Sequence, residues 1–383
     1  METPALKSLE TPALIIDDAR MRRNIARMRE RLSRFKVSFR PHLKTSKCIE
    51  VARLLMTSPG GPITVSTLHE ADYFAAHGVT DILYAVGIAP NKVGHVLALR
   101  RSGIKVSVIL DSADAARLLA HHLRGTGESM DVLIEIDADG HRSGVKPDAP
   151  ALLAIGDLLH SGGINLEGVM THAGISYDCR SVDEIRAVAE QERVAVVTAA
   201  GRLRAAGLPC PVVSVGSTPT ALFAGNLDGV TEVRAGVFVF FDLVMAGLNV
   251  CEVDDIALSV LATVIGHQPG KGWTIVDAGW MAMSRDRGTA RQAVDQGGVD
   301  QGYGLVCDVD GRQLDGFVVI DANQEHGIIA HRSGDPARTL GLPVGALVRI
   351  FPNHACATGA QHSRYHVCSA GRDIAVWERL NGW

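Results

Sequence analysis

The sequence has none of the long apolar runs or like-charge blocks that mark membrane spans and polyanion-binding segments. No uninterrupted apolar stretch approaches the roughly 18 residues that a membrane span requires. The formal net charge of the 383-residue chain is −4, and no five like charges occur in a row. We therefore expect neither a nucleic-acid-binding surface nor a membrane anchor. The N-terminus also lacks a basic start followed by an apolar core, so the predicted location is cytoplasmic.

Cysteine is scarce, and its spacing shows no disulfide pattern. The seven cysteines are Cys48, Cys179, Cys210, Cys251, Cys307, Cys356 and Cys368. An odd, scattered set in a long chain predicts reduced thiols rather than a disulfide scaffold. Hydrophobic residues make up 46% of the chain and charged residues 21%, with 40 glycines. This composition is typical of a compact globular enzyme with many loops and excludes a disordered chain.

Short β-rich runs alternate with helical stretches in the first two thirds of the chain. An amphipathic helix is predicted over residues 19–35. The β-rich runs lie at 36–44, 63–68, 81–86, 105–111, 131–137, 166–172, 212–217 and 230–235. Eight strands joined by helices fit a (β/α)8 TIM-type barrel better than an open doubly wound sheet. No GxGxxG motif follows a strand.

The pattern changes near residue 256 to β-rich runs without long helices. We predict an α/β protein with a barrel over residues 19–255 and an all-β domain formed by residues 256–383 together with residues 1–18. The extra strand at 13–18 is expected to cross over and pair with the C-terminal sheet. Residues 284–303 are polar and Gly-rich, which indicates either a disordered surface tip or an active-site lid.

Polar residues follow the predicted barrel strands, at the end where barrel enzymes place their active sites. The polar residues of 36–44 share one face, which places Lys44 at the barrel mouth beside Arg40 and His42. Later strand ends carry Asp137, Asp139, His141, Arg142, Ser143, His172, Ser217, Thr218 and Arg234. A lone lysine at a strand end is usually a solvated surface group. Because so many polar and charged residues are expected near it, Lys44 is nevertheless a candidate for Schiff-base chemistry with a carbonyl compound.

A second feature of the strand ends favours a phosphate. Gly216, Ser217 and Thr218 lie at one strand–helix junction and Gly236 at the next, where hydroxyl and backbone N–H groups can bind an anion. The motif is weak alone. Beside a candidate Schiff-base lysine it indicates pyridoxal 5′-phosphate (PLP).

Several motifs together resemble a known family. They are RPHLKTSK (40–47), DGHRSG (139–144), THAG (171–174), GSTPT (216–220), RAG (234–236) and PNHACAT (352–358). The set resembles the D-threonine aldolase and D-serine dehydratase family of alanine-racemase-like, fold-type III PLP enzymes, over essentially the whole chain. The resemblance implies that Lys44 binds the cofactor as a Schiff base.

The same resemblance implies roles for other cofactor-binding residues. Arg142 corresponds to the arginine near the phenolic oxygen of the cofactor, and His172 to the histidine packed on its ring. Tyr177 lies near the cofactor, and Arg234 corresponds to an arginine that faces the ring nitrogen in the racemases. The phosphate cup would be formed by the segments Ser217-Thr218 and Gly236-Val237.

His354 and Cys356 form a candidate metal pair, because residues i and i+2 of an extended segment share a face. A buried cysteine is more often a small apolar filler, but the resemblance gives the corresponding pair as the metal site. Two protein ligands leave positions for water and substrate. A thiolate favours zinc, whereas related aldolases are associated with manganese or magnesium, so the expected ion is Mn, Mg or Zn.

The resemblance implies a carbon–carbon lyase, in which Lys44 and His354 are catalytic. The motifs THAG, SVGSTPTAL and DAGWMAMSRDRGTA resemble those of D-threonine aldolases, which cleave a D-β-hydroxy-α-amino acid to glycine and an aldehyde. A 3-hydroxyaspartate aldolase, or a dehydratase of D-serine or 3-hydroxyaspartate, is the alternative. A non-catalytic PLP carrier is disfavoured because such proteins lack the β-domain. A homodimer is also implied, with the β-domain of each subunit completing the barrel mouth of the other.

Overall fold

The computed structural model describes residues 4–369 and 374–383, and the chain divides into two compact units. One unit comprises Met28–Gly236 with Gly382–Trp383, and the other comprises Met1–Arg27 with Val237–Asn381. These bounds differ from those of the predicted domains, which divide at 18/19 and 255/256. Polar contacts within the second unit account for the difference. Asn24 donates to the carbonyl oxygen of Asp255 at 2.8 Å, and Asp242 accepts the N–H of Ala355 at 2.9 Å.

The first strand and helix of the chain are β1 (Ala13–Asp17) and α1 (Asp18–Ser33). The strands that follow are β2 (Ser38–Pro41), β3 (Ile63–Val65), β4 (Asp81–Gly87), β5 (Lys105–Leu110), β6 (Asp131–Ile136), β7 (Asn165–Thr171), β8 (Val212–Val215) and β9 (Glu232–Ala235). The helices between them are α2 (Ile49–Leu55), α3 (Leu68–Ala76), α4 (Pro90–Arg101), α5 (Ala113–Leu123), α6 (Pro150–Ser161), α7 (Val182–Ala205) and α8 (Thr218–Phe223). All eight predicted barrel strands are therefore present.

These eight strands form one parallel sheet that curves into a barrel. Their order is β2-β9-β8-β7-β6-β5-β4-β3, and a bridge between His42 and Thr64 joins the two ends. Local sequence helps to explain the alternation, because β-rich buried runs such as β5 end close to a residue that caps the next helix. Thr67, Ser112 and Ser217 each accept a backbone N–H as the N-cap of the helix that follows their strand. The predicted (β/α)8 barrel is confirmed.

The interior of the barrel is polar on β2, as its alternating sequence predicts. Arg40 donates to Glu232 of β9 at 2.7 Å and to Asp81 of β4 at 2.7 Å. Asp81 lies on a strand that is not the neighbour of β2, so the Arg40 side chain crosses the barrel interior. The two carboxylates compensate the charge of this buried guanidinium.

The second unit, as far as the structure describes it, is built on a nine-stranded sheet and includes the first part of α1 and several short helices. Before its first C-terminal strand lies α9 (Leu243–Gly247). The remaining elements are β10 (Leu258–Gln268), β11 (Trp273–Val276), α10 (Trp280–Met283), α11 (Gly288–Gln296), β12 (Gly304–Cys307), β13 (Gln313–Ala322), β14 (Gly327–His331), β15 (Leu347–Pro352), α12 (Ala355–Gly359), β16 (Arg364–Cys368) and β17 (Ala375–Glu378). The strand order is β11-β14-β13-β12-β15-β10-β1-β16-β17, and β10 also pairs with β11. Strand β1 pairs antiparallel with β10 and parallel with β16, which confirms that the N-terminal strand crosses over.

The segment 284–303 is not a disordered tip, because it contains helix α11 and is anchored by polar contacts. The Thr289 hydroxyl donates to the Asn353 side chain, and the Gln292 amide donates to the carbonyl oxygen of Val244 at 2.9 Å. In residues 4–369 and 374–383, no helix has the length and apolarity to cross a membrane.

Candidate active site

The strand ends of the barrel unit bring three cations and two histidines close together. Burial and the nearby charges of Lys44, Arg142 and Arg234 together lower the pKa of His172 to about 3, although its hydrogen bond to Gly216 opposes them. Burial and the same three cations also lower the pKa of His42 well below its ordinary value. Both imidazoles are therefore neutral near pH 7. The predicted residues Lys44, Arg142, His172 and Arg234 thus surround one site at the mouth of the barrel.

Lys44 lies in the turn that follows β2, with its side chain exposed. Its backbone N–H donates to Nδ1 of His42 at 3.4 Å. Within the described part of the chain, the Lys44 ammonium group has no hydrogen-bond or ion-pair partner, whereas Arg40 is held by two carboxylates. The amine of Lys44, in the turn after β2, is therefore available to a ligand.

His172 follows β7 and is held by the next strand end. Its Nδ1–H donates to the carbonyl oxygen of Gly216 at 2.7 Å, which fixes the tautomer and leaves Nε2 without a proton. The ring of Tyr177 lies 6.2 Å from the His172 ring, centroid to centroid, at the end of the helical turn Gly174–Tyr177. The structure therefore brings Tyr177 to the same site as His172, as predicted.

A cluster of buried hydroxyl groups lies at the start of α8. Ser217 hydrogen-bonds Ser176 at 3.0 Å and Thr220 at 2.9 Å, both through side-chain oxygens. Thr218, the first residue of α8, is also buried. Two positions beside this cluster have room only for glycine. A Cβ at Gly236 would lie 2.6 Å from the carbonyl oxygen of His42, and one at Gly216 would collide with the carbonyl of Arg234.

Val237, predicted beside Gly236 in the phosphate cup, belongs to the other compact unit, where it starts the helical turn Val237–Val239. Arg234 of β9 is buried, and it donates to the Ser214 hydroxyl and to the carbonyl oxygen of Thr171. Arg142 is exposed, 3.8 Å from Glu135 of β6. Burial raises the pKa of Glu135, while Arg142 opposes that effect.

The candidate metal pair lies in the sheet unit. His354 has extended backbone, but Cys356 lies in α12, so the prediction of one extended segment is wrong for this stretch. The two side chains nevertheless form a hydrogen bond. Burial lowers the pKa of His354, but the Cys356 thiolate and a hydrogen bond to Asp286 outweigh it and raise the pKa to about 11. The Nδ1–H group of His354 donates to Asp286 at 2.8 Å. The hydrogen bond to Cys356 therefore falls to Nε2, where a metal ion would take the place of the proton.

The residues present fit both PLP and a divalent ion. The barrel unit offers an available amine, a neutral imidazole, and a buried hydroxyl cluster beside two glycines where any Cβ would collide. For the metal, the sheet unit offers one imidazole nitrogen and one thiolate. No group of three or more His, Cys, Asp or Glu side chains able to hold a metal is found among residues 4–369 and 374–383. Water and substrate would supply the other ligands.

Two acidic residues at these sites were missed by sequence reasoning. Asp286 contacts His354, and Glu192 of α7 accepts N–H groups of Ala173 and Gly216. Glu192 had a sequence signal, because it falls on the buried face of an otherwise apolar helical stripe. Asp286 lies in the polar segment 284–303 and within the motif DAGWMAMSRDRGTA, but no local pattern marked it as a partner of His354.

Two family models match consecutive parts of the chain. Residues 16–244 match "Alanine racemase, N-terminal domain", and residues 257–368 match "Putative serine dehydratase domain". D-threo-3-hydroxyaspartate dehydratase of Delftia sp. (strain HT23) is 57% identical over 381 residues, which are 99% of each chain. Its solved structure has a TM-score of 0.95 and covers 99% of this chain and 100% of that chain.

D-threonine aldolase from Filomicrobium marinum is also similar in structure, with a TM-score of 0.79 at 26% identity, covering 97% of this chain and 96% of that chain. Two further structures of D-threo-3-hydroxyaspartate dehydratase, at 56% and 57% identity, carry substitutions. One has a histidine replaced by alanine. The other, a metal-free form, has a cysteine replaced by alanine two positions further along.

The parallel barrel with a lysine at its mouth and a second sheet unit define an alanine-racemase-like, fold-type III protein. The chain belongs to the D-serine dehydratase and D-threonine aldolase family of these PLP-dependent enzymes. The resemblance seen in the sequence is thereby confirmed, and PLP is the cofactor of the family.

Proposed function

We propose that this enzyme is a PLP- and divalent-metal-dependent lyase that dehydrates D-threo-3-hydroxyaspartate. The observation that carries the proposal is the 57% identity to D-threo-3-hydroxyaspartate dehydratase over 99% of both chains. D-threonine aldolase of Arthrobacter sp is 27% identical over 379 residues. The higher sequence identity to the dehydratase therefore favours carbon–oxygen elimination, the alternative in the sequence analysis, over the aldol cleavage that the motifs suggested.

In this proposal the barrel unit holds the cofactor, together with Val237, which directly follows Gly236 in the chain. Lys44 would bind its aldehyde, His172 and Tyr177 would flank its ring, and Arg142 would contact its phenolic oxygen. Arg234 would face the ring nitrogen, and the phosphate would be held by Ser217, Thr218, Gly236 and Val237. When bound, PLP supplies an electron sink for the negative charge that develops at the substrate Cα. Burial of Ser217 and Thr218 would keep water away from the phosphate.

Proton transfer at Cα is assigned to Lys44. Its side chain is exposed at the barrel mouth, and its Nζ atom, as a neutral amine, would accept the proton that leaves Cα. His172 donates at Nδ1 to Gly216, and its lowered pKa keeps Nε2 without a proton near pH 7. His172 therefore adds no positive charge beside the cofactor ring.

The sheet unit would hold the divalent ion through Nε2 of His354 and the thiolate of Cys356. The ion supplies a Lewis acid for the β-hydroxyl group that leaves. The two substituted residues in the related structures, a histidine and a cysteine two positions apart, match the spacing of His354 and Cys356, and the cysteine variant is metal-free. A thiolate ligand favours zinc over magnesium or manganese.

Product analysis tests the proposed function. The purified, PLP-loaded protein is incubated separately with D-threo-3-hydroxyaspartate, D-threonine and D-serine, with and without a chelator. We expect oxaloacetate and ammonia from 3-hydroxyaspartate, and a loss of turnover with the chelator while PLP stays bound. Glycine with glyoxylate from the same substrate, or glycine with acetaldehyde from D-threonine, would establish the aldolase instead.

A further inference from the structure

Helix α7 buries one acidic side chain, Glu192, which is 2% exposed. Its neighbours on the buried face are apolar, among them Ala189, Ala195 and Val196. A carboxyl group in such a place costs free energy unless hydrogen bonds replace its water. The partners of Glu192 therefore indicate what this residue does.

Among the residues that the structure describes, the hydrogen-bond partners of Glu192 lie at the ends of β7 and β8 and in α8, around the candidate cofactor site. Its Oε1 atom accepts the N–H of Gly216 at 2.9 Å and the N–H of Ala173 at 3.2 Å. The Thr220 hydroxyl, next to Ser217 in the buried hydroxyl cluster, hydrogen-bonds the same carboxyl group. One side chain thus joins the end of β7 to the end of β8.

Gly216 is held through both of its main-chain polar groups. Its N–H donates to Glu192, and its carbonyl oxygen accepts Nδ1–H of His172 at 2.7 Å. Ala173, the second partner of Oε1, directly follows His172 in the chain. The ring of His172 is therefore fixed through two peptides that share one carboxyl oxygen. Without that oxygen, two buried N–H groups would lack an acceptor, and both loops would shift to find one.

We propose that Glu192 is a positioning residue for the cofactor site: its Oε1 atom holds the His172 loop and the Ser217 loop in the arrangement that binds PLP. This inference rests on the cofactor site of the proposed function. It assigns to a residue of the outer helix layer a role in affinity for the cofactor.

The acceptor oxygen, rather than the negative charge, carries this role. Both N–H groups bind the single atom Oε1, which glutamine also has. Burial raises the pKa of Glu192 and so favours its neutral form, although the N–H of Gly216, the Thr220 hydroxyl and the nearby charge of Arg234 oppose this effect. The Glu192→Gln substitution should therefore preserve both hydrogen bonds to Oε1. Glu192→Met fills a similar volume without an acceptor.

The test measures PLP affinity rather than turnover. Protein freed of cofactor is titrated with PLP, and binding is followed by visible absorbance for wild type, Glu192→Gln, Glu192→Met and Glu190→Gln. Glu190 is a half-exposed residue of the same helix that pairs with Arg193, so it is the control for loss of an acidic group. We expect Glu192→Met to raise the Kd about tenfold or more, because two N–H donors lose their acceptor. The Glu192→Gln and Glu190→Gln proteins should stay close to wild type.

A second readout follows the His172 ring. In nitrogen-labelled, cofactor-free protein, the Nδ1–H resonance of His172 should keep its position in Glu192→Gln and shift or broaden in Glu192→Met. Wild-type affinity and an unchanged resonance in folded Glu192→Met would overturn the inference. A Glu192→Gln protein that binds PLP as weakly as Glu192→Met does would also overturn it. If neither Glu192→Met nor Glu192→Asp folds, Glu192 has a global structural role, and the inference is overturned as well. A wild-type protein that binds no PLP would instead refute the cofactor site itself.

Discussion

Lys44 and Lys47 share one turn at the barrel mouth, but their ammonium groups have different surroundings. Lys44 is exposed. Lys47 has a backbone φ of 43° and lies 3.2 Å from the carboxylate of Glu70, which is fully buried. Its ammonium group also lies 5.2 Å from the centre of the Trp383 ring. Lys47 is thus the counter-charge of a buried acid, and Lys44 remains available for chemistry.

The two lysines should therefore respond differently to substitution. Lys44→Ala is expected to abolish trapping of PLP by borohydride and to lower turnover by orders of magnitude, with little change in thermal stability. Lys47→Ala should still trap PLP at Lys44, but should lose on the order of 3 kcal/mol of stability because Glu70 stays buried without its partner. Mass spectrometry of the reduced, digested protein locates the trapped lysine, and thermal melts measure stability. PLP trapped on Lys47 in the wild-type protein would contradict the assignment.

Regular elements were predictable from the sequence, because local patterns determine them. Several barrel strands are β-rich runs followed by a capping residue, as with Ser217 before α8. Strand β1 could be assigned to the C-terminal sheet because it precedes the first amphipathic helix and has no place in an eight-unit barrel. The strand ends then indicated Lys44 and His172, since a barrel brings its C-terminal strand ends together.

What the sequence could not predict depends on contacts between distant residues. Helix α11 is short, and it is anchored through Thr289 to Asn353, 64 positions away in the chain. The contact of His354 with Asp286 spans 68 positions. Cys356 belongs to a five-residue helix whose first N–H group, that of Ala355, is satisfied by the buried Asp242. No local periodicity encodes pairings of this kind.

Asp286 connects the segment before α11 to the candidate metal site, so its removal should weaken metal binding. In Asp286→Ala, Nδ1 of His354 loses its acceptor, and neither the tautomer nor the ring orientation stays fixed. Loss of such a partner typically costs about 10–100-fold in metal affinity. We expect that loss for zinc, measured by competition with a chromophoric chelator, while PLP content stays unchanged.

The matched control is Asp300→Ala, which removes another carboxylate of the same segment. Asp300 is exposed and pairs with Arg287 rather than with His354. This protein should bind zinc as the wild type does. Equal zinc affinity in Asp286→Ala and wild type would show that His354 needs no orienting partner, or that it is not a ligand.

At the scale of the whole molecule, each unit exposes apolar side chains close to its candidate site. Ile175, 39% exposed, lies in the turn between His172 and Tyr177. Met281, 43% exposed, lies in α10, whose residue Met283 accepts the hydroxyl of Thr358 in α12, the helix that contains Cys356. Single exposed apolar side chains are normal on protein surfaces and do not by themselves indicate association. The predicted homodimer therefore rests on the family resemblance.

A hybrid dimer tests whether two subunits share each site. Lys44→Ala damages the barrel unit and His354→Ala damages the sheet unit, so each variant alone should be inactive. If one subunit supplies the barrel and its partner supplies the metal pair, a dimer of the two variants contains one intact site and one doubly damaged site. Such a hybrid, purified through two different tags, should show about half of wild-type activity. Its sedimentation should correspond to twice the 40.7 kDa chain. If instead each site lies within one chain, both sites of the hybrid are damaged and no activity returns, and a fully active monomer would contradict the dimer altogether.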